Sequence, residues 1–291
     1  MALTFKRSHP TFVAAASAVD LRKIEDPATL EQIRAALDEH AVLVFHDQAF
    51  ANDDQLRFAE RLDGNVNMNS PTAVILGKSR LDYEGMIDVS NINHDGEIWG
   101  EHDRKRLRRM TNYLWHTDAS FLNPPGHYSM LWARAVPPIS APTEFADMRS
   151  AYEALDAGKK AMLEGLRAHH SALYNKQLLG FELSHDEMQK LDFAEHLLVR
   201  KNPRNGRRSL YLAVHASHIV DRPVPEGRIT LLWLTEHATQ QKFVYCHEWR
   251  AGDFVIWDNL ATMHRARLYD DMKYRRELVR VTTLDSVASV T

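Results

Sequence analysis

Cysteine is almost absent from this sequence of 291 residues. Cys246 is the only one, so no disulfide can form within one chain. It lies in the apolar run 242–246, where we expect a buried small hydrophobic residue rather than a nucleophile. The sequence also lacks the apolar core of a signal peptide and any run of about 18 apolar residues. These absences predict a reducing, cytoplasmic setting and no membrane partner.

An excess of positive charge is missing as well. The 36 Lys and Arg residues against 39 Asp and Glu residues give a net charge of −3, so no basic field predicts a nucleic-acid partner. The basic run 104–109 is too short to change this, and we expect a solvated face or a lid loop there. The 44% hydrophobic and 26% charged content predicts a globular chain with a large core. The sequence leaves both a monomer and a homo-oligomer open.

Local signals indicate the fold class. Asp26 followed by Pro27 predicts a helix over 27–39, and Asn205-Gly206 predicts a hairpin between strands at 197–201 and 209–214. The strand-like segments are many, short and joined by hairpins, with few helices between them. We therefore predict a mainly β fold with flanking helices and a double-stranded β-helix (jelly-roll) core. It would form a single domain over 1–291, with a substrate lid at 63–110.

The stretch 112–121 carries the strongest chemical signal. In an extended segment, residues i and i+2 point to the same side, so His116 and Asp118 can direct a nitrogen and a carboxylate oxygen at one point. This pattern alone is weak, since about two copies are expected by chance in such a chain. A second copy begins at His185, but it coincides with a capping box formed by Ser184 and Glu187, which predicts a structural role.

A third ligand is offered by His264, which follows an apolar strand and a polar turn. Two histidines and one carboxylate are typical of non-haem Fe(II) oxygenases. Such an enzyme needs electrons from a cosubstrate, usually 2-oxoglutarate, whose far carboxylate requires a buried cation. Arg275-Arg276, about a dozen residues after His264 and at the start of the last strand, offers such a cation, because the planar fork of arginine matches a carboxylate.

The order of His116, Asp118, His264 and Arg276 resembles that of the taurine/2,4-dichlorophenoxyacetate dioxygenase family. The similarity runs from about residue 5 to residue 287 and is strongest to the aryloxyacetate branch. The segments that resemble this branch include 43–45, 114–118, 143–149, 214–218, 236–240, 257–259 and 275–278.

The resemblance implies a role for each matching residue. His116, Asp118 and His264 would bind Fe(II), and Arg276 would pair with 2-oxoglutarate, helped by the Thr143 hydroxyl. The family's usual Gly-Gly-Asp before that threonine is replaced here by residues 140–142, Ser-Ala-Pro. Arg280 shares a strand face with Arg276, and its match in the family lies near the cosubstrate or the substrate carboxylate.

Substrate contacts are less well specified by the sequence. His215 and His218 match histidines of the substrate pocket in the aryloxyacetate branch, although a hydrogen-bonded histidine pair at a strand end would give the same pattern. Asn112, at the start of the motif stretch, is a further candidate. Lys78 is another, because it is the only lysine within 63–85.

The resemblance implies an enzyme that uses Fe(II), 2-oxoglutarate and O2 to hydroxylate a small carboxylate substrate. With an aryloxyacetate, hydroxylation would give a hemiacetal that collapses to a phenol and glyoxylate. The same chemistry on a sulfonate or on a natural aryl or alkyl carboxylate is the alternative. A non-enzymatic ligand-binding protein is a third hypothesis, against which the intact triad and Arg276 argue.

Overall fold

Strands and helices are interspersed along this chain. A computed structural model describes residues 3–68 and 79–286. The strands are β1 (Phe5–Arg7), β2 (Ala14–Ala16), β3 (Val42–Phe45), β4 (Met86–Asp88), β5 (Gly126–Ala135), β6 (Thr143–Asp147), β7 (Arg167–Ser171), β8 (Phe193–Leu197), β9 (Val199–Lys201), β10 (Arg208–Leu210), β11 (Ala216–Ile219), β12 (Val244–His247), β13 (Phe254–Asp258), β14 (Thr262–Ala266) and β15 (Glu277–Leu284). The α-helices are α1 (Pro27–His40), α2 (Asn52–Asp63), α3 (Arg104–Arg109), α4 (Met148–Glu153), α5 (Ala157–Leu163), α6 (Ala172–Leu178), α7 (His185–Gln189) and α8 (Val224–Ala238). Short 3-10 helices cover Leu21–Lys23, Met110–Tyr113 and Gln241–Phe243.

One large sheet organises these elements. Its seven strands run in the order β1-β2-β3-β13-β5-β15-β4, and all neighbours are antiparallel except β2 and β3. A three-stranded sheet, β12-β6-β14, accompanies it, as do the smaller sheets β11-β7-β8 and β10-β9. The predicted mainly β fold with flanking helices is confirmed.

The two faces of the large sheet enter different cores, because successive side chains of a strand point to opposite faces. Leu43 and Phe45 pack with residues of α1 and α2, such as Leu37. Val42 and Val44 face the other way and pack with Phe145 of β6. The strand β14, which carries His264, thus belongs to a small sheet that packs on the inner face of the large one.

The strongest local signals are confirmed. Helix α1 begins at Pro27, and the Asp26 carboxylate accepts a hydrogen bond from the Thr29 N–H at 2.8 Å. The Asn-Gly hairpin joins β9 to β10, where Gly206 has a φ of 74° that suits glycine. The Ser184 capping box also forms, with its hydroxyl accepting from the Glu187 N–H.

Two local expectations were wrong. Cys246 is exposed, because its side chain lies on the outward side of β12. The basic run 104–109 forms helix α3 and is not simply solvated. Arg108 is buried and pairs with Glu187 at 2.7 Å, and Arg106 pairs with Asp271 at 2.8 Å.

The predicted lid is only partly covered by the structure. Lys78 and the rest of 69–78 lie outside the described residues. Within 3–68 and 79–286, none of the helices has the length and apolar character that spanning a lipid bilayer requires.

Candidate metal centre

Three buried side chains from distant parts of the chain converge between the two sheets. His116 and His264 pair through their backbones, with N–H to carbonyl distances of 3.0 and 2.8 Å. Asp118 lies two residues after His116, and its carboxylate oxygens are 3.7 Å from His116 Nε2 and 3.6 Å from His264 Nε2. One ligand atom from each residue lies within 4.8 Å of the other two. The predicted same-side placement of His116 and Asp118 is therefore present.

Both imidazoles are in the state that metal binding needs. His116 Nδ1 lies 2.8 Å from the Leu114 carbonyl oxygen, which holds the proton on Nδ1 and leaves Nε2 as a lone-pair donor. Burial lowers the pKa of His116, and it lowers that of His264 well below its ordinary value. Neutral imidazoles are metal ligands, whereas protonated ones are not.

The third member, Asp118, is held as a carboxylate. Burial raises its pKa, but the neighbouring Arg280 charge and the other groups around it outweigh burial and bring the pKa to about 2. Arg280 Nη1 donates to Asp118 Oδ1, and the Ser129 hydroxyl donates to Oδ2 at 2.8 Å. Asn259 Nδ2 donates in turn to Ser129 at 2.9 Å. Such supporting hydrogen bonds orient ligands toward a metal.

A cavity opens on one side of the triad. Because Arg276 lies at its wall, we call it the arginine cavity; its other walls include Asn91, Tyr113, Thr143 and Tyr269. Arg276 is only 6% exposed, and its Nε has no hydrogen-bond partner among the described residues. Burial lowers its pKa to about 10, so the guanidinium remains charged at neutral pH. A buried cation with unused donors at a metal centre suits a carboxylate ligand.

Thr143 lies beside this arginine, as the sequence predicts. Its Oγ1 is 3.4 Å from Arg276 Nη2 and accepts a hydrogen bond from Trp249 Nε1 at 3.0 Å. Strand β6 positions Thr143 opposite Ala266 of β14, two residues after His264. The Ser-Ala-Pro segment before Thr143 therefore leaves the hydroxyl within reach of the guanidinium.

A second cavity opens on the other side of the triad. We call it the lysine cavity; its walls include Phe121, Asn175, Lys176 and His215. Asn112, His116 and Arg280 line both cavities and so form their shared wall.

The two predicted substrate histidines separate in the structure. His215 is buried, and its Nδ1 lies 3.3 Å from the Ser120 hydroxyl. Burial, with the positive charge of Lys176, lowers its pKa to about 3. His218 stacks on His169 at 5.1 Å and bonds to the neighbouring Ser217 hydroxyl, and it is not among the residues that line either cavity. His218 therefore fits the alternative that the sequence left open, a hydrogen-bonded histidine on a strand.

Sequence reasoning missed several residues of the site. Arg106 and Arg109 of the basic run line the arginine cavity. Burial lowers the pKa of Arg109 to about 10, and its guanidinium lies 4.2 Å from the Trp99 ring centre. Lys176 had no signal, because one lysine in a short helix is ordinary in sequence. Only the packing of helix α6 against β7 and β11 brings it to the site.

Comparison with known proteins agrees with this geometry. The model of the "Taurine catabolism dioxygenase TauD, TfdA family" matches residues 4–282. The chain is 41% identical to the alpha-ketoglutarate-dependent 2,4-dichlorophenoxyacetate dioxygenase of Cupriavidus pinatubonensis, over 95% of this chain and 96% of that protein. It is 40% identical to the enzyme of the same name from a Burkholderia strain, over 98% and 95% of the two chains.

A solved structure gives the same result in three dimensions. The crystal structure of AAD-2 in complex with Mn(II) and N-oxalylglycine matches this chain with a TM-score of 0.90 and 39% identity, over 100% of both chains. The match covers the large sheet, the small sheets and the helices around them. With the family match over 4–282 and relatives at 40–41% identity, the chain belongs to the TauD, TfdA dioxygenase family.

Proposed function

We propose that this protein is an Fe(II)- and 2-oxoglutarate-dependent dioxygenase that cleaves aryloxyacetates to a phenol and glyoxylate. The observation that carries the proposal is the buried triad of His116, Asp118 and His264 beside the buried Arg276. Two relatives of about 40% identity are named alpha-ketoglutarate-dependent 2,4-dichlorophenoxyacetate dioxygenases, which supports a substrate of this class.

The triad fits Fe(II). Two neutral histidines and one carboxylate on one face of a metal leave its other positions open, which is the arrangement of non-haem iron oxygenases. The ligand atoms already lie within 4.8 Å of one another, and the Nε2 atom of each histidine faces the Asp118 carboxylate. Arg280 keeps that carboxylate ionised and fixed, so it is ready to bind a cation.

The arginine cavity fits 2-oxoglutarate. Its distal carboxylate would pair with the Arg276 fork, whose Nε has no protein partner among the described residues, and Thr143 would add a hydroxyl. N-oxalylglycine, the isostere of 2-oxoglutarate named in the AAD-2 complex, supports this assignment.

When bound, iron and 2-oxoglutarate supply the oxidising power that places one oxygen atom of O2 in a substrate C–H bond, while 2-oxoglutarate becomes succinate and CO2. The chain's own residues bind, orient and shield. The buried Trp257 and Phe145 pack around His264, with ring centres at 4.7 and 6.0 Å, and exclude water from that side. Hydroxylation of the carbon between the ether oxygen and the carboxylate of an aryloxyacetate gives a hemiacetal, which loses the phenol and leaves glyoxylate.

Phenol release provides the test. Purified protein with Fe(II), 2-oxoglutarate and O2 should release 2,4-dichlorophenol from 2,4-dichlorophenoxyacetate, with one succinate per phenol. Omission of either cofactor should abolish the release, and His264→Ala should abolish it by removing a metal ligand. A panel that includes alkyl sulfonates and aryl or alkyl carboxylates, followed by succinate, covers the alternative. Succinate formation without phenol from any aryloxyacetate would contradict the proposal.

We further propose a jelly-roll core for this fold, built from the large sheet and the sheet β12-β6-β14. The chain would form one domain, with the segment 63–110 as a substrate lid. Support comes from Asn91, Trp99 and Arg109 in the described part of that segment, all of which line the arginine cavity. The cytoplasm is the proposed compartment, because Fe(II) and a lone cysteine both suit a reducing environment.

A further inference from the structure

Lys176 lines the lysine cavity, and its ammonium group has unusual surroundings. Lys176 lies on helix α6 and is only 8% exposed. Its Nζ lies 3.4 Å from two neutral oxygens, the Arg108 carbonyl and the Thr111 hydroxyl. Among the described residues, no carboxylate lies within ion-pair distance of this nitrogen. A buried ammonium without a carboxylate is costly, because it has lost its hydration and gained only weak partners.

The electrostatics agree with this geometry. Burial and then the positive charge of Arg108 lower the pKa of Lys176 to about 8. At neutral pH the group is therefore still mostly protonated, although its surroundings disfavour the charge. An anion that enters the lysine cavity would stabilise the charged form of this ammonium.

Among the residues that the structure describes, the other basic groups beside the triad already have an anionic partner or another task. Arg280 donates to Asp118, so its charge is matched by a metal ligand. Arg276 lies at the wall of the arginine cavity but is not among the residues that line the lysine cavity. His215 is neutral, since burial, with the nearby positive charge of Lys176, lowers its pKa to about 3. Of the cations known to line the lysine cavity in 3–68 and 79–286, Lys176 is thus the one that lacks an anionic partner.

We propose that the Lys176 ammonium binds the carboxylate of the substrate. This inference rests on the proposed function and names the group that selects acids for it. The same cavity offers apolar side chains for an aryl ring, among them Phe121, Leu122 and Leu191. His116 and Asp118 line it as well, so a substrate anchored at Lys176 extends beside the metal ligands. Helix α6 then supplies a lysine that reads the substrate.

The test compares an acid with its neutral analogue in wild type and in Lys176→Met. Methionine keeps the length of the side chain and removes its charge. Binding of 2,4-dichlorophenoxyacetate and of 2,4-dichlorophenoxyacetamide to the anaerobic Fe(II)/2-oxoglutarate enzyme is followed by calorimetry, and KM for the acid by phenol release. Lys242→Met, on the exposed surface, is the matched control, and Lys176→Gln is a second neutral variant.

Lys176→Met should weaken binding of the acid about 10- to 100-fold, the range for a hydrogen bond to a charged group. KM for 2-oxoglutarate and binding of the amide should stay within about threefold of wild type, and Lys242→Met should change neither ligand. An equal loss for acid and amide would overturn the proposal and leave Lys176 as a structural support for Thr111 and the Arg108 carbonyl.

Equal binding of acid and amide by wild type would overturn the proposal without any variant. The failure of the proposed function has a different signature. In that case wild type releases no phenol from any aryloxyacetate, whatever Lys176 does to the binding of acids.

Discussion

At the scale of single residues, His215 and His218 show how neighbouring histidines acquire different roles. His215 is buried in the lysine cavity, 3.3 Å from Ser120 Oγ, and its ring lies 5.1 Å from that of Phe121. His218 lies on the next strand segment and stacks on His169. The register of β11 against β7 shifts between Ala216 and His218, so the two side chains are not related by simple alternation.

This difference gives a paired test. His215→Ala should raise KM for an aryloxyacetate by about three- to tenfold, the value of one hydrogen bond in a buried site. His218→Ala is the matched control and should leave KM within about twofold of wild type, because its partners are Ser217 and His169 rather than cavity atoms. Steady-state phenol release measures both variants. Equal effects would mean that His215 does not contact the substrate.

The same scale shows what the sequence can predict of the site. His116 and Asp118 could be predicted from the sequence because their spacing places both side chains on one side of an extended segment. His264 and Arg276 could be predicted because they complete a known set of metal and cosubstrate ligands. Lys176 and Ser129 could not be predicted from the sequence, because each is brought to the site by contacts with residues far away along the chain. Ser129 of β5 contacts Asp118 because this strand passes beside the turn that contains Asp118.

At the scale of elements, the start of β5 fixes the position of Asp118. A Cβ atom added to Gly126 would lie 2.5 Å from the Asp118 carbonyl oxygen and 3.3 Å from the Ala119 Cβ. The strand therefore needs glycine here because the motif stretch passes too closely for any side chain. This backbone contact adds to the Arg280 and Ser129 side-chain bonds that hold the Asp118 carboxylate.

Gly126→Ala should therefore displace Asp118. We expect a loss of stability of about 1–3 kcal/mol from overpacking and a loss of metal affinity of at least about tenfold. Gly227→Ala is the matched control, since its Cβ would lie 2.7 Å from the Ile219 N atom, on α8 and far from the triad in sequence. It should lower thermal stability without changing metal affinity. Calorimetric unfolding and Mn(II) titration separate the two effects, and normal metal binding by Gly126→Ala would contradict this account.

Elements with a local signal were predictable, and those that depend on distant partners were not. Helix α1 and the β9–β10 hairpin carry their own caps and turn residues. Helix α3 is a run of basic residues with no apolar stripe, so its sequence predicts a solvated face. Its inward side is stabilised by Glu187 and Asp271, about 80 and 165 residues later in the sequence.

At the scale of the whole molecule, the site depends on strand order more than on any single element. β15 lies next to β5, which brings Arg280 and Ser129 to the same carboxylate. β14 belongs to the other sheet and brings His264 to the opposite side of Asp118. Alternating patterns predict strands and their buried faces, but they carry no information on which strands become neighbours. The strand order was therefore not predictable, although the ligands that it unites were.

A buried histidine cluster outside the metal centre also affects the whole molecule. His170 and His196 lie with their ring centres 5.3 Å from each other, and each lies 5.3 Å from the ring of Tyr211. Both imidazoles are fully buried. Burial lowers the pKa of His170 well below its ordinary value and, with the charge of Arg200, lowers that of His196 to about 4.

These shifts predict loss of stability in acid. As the pH falls below about 6.5, the unfolded chain binds protons at these histidines while the folded chain does not. The unfolded state then binds more protons, so the free energy of unfolding falls. For His196 the fall is about 1.4 kcal/mol per pH unit and continues until the pH reaches about 4, where the folded form also titrates. Above about pH 7 this contribution is complete and constant.

Urea unfolding of the metal-free protein between pH 4 and pH 8 measures this effect without competition from metal binding. His196→Phe keeps an aromatic ring against Tyr211 and removes the titration, so the slope of stability against pH below about 6.5 should decrease by about 1.4 kcal/mol per unit. His185→Phe, on the exposed helix α7, is the matched control and should keep the wild-type slope. If His196→Phe also kept that slope, the acid sensitivity would have to arise from other buried groups, with His116, His215 and His264 of the active site as the next candidates.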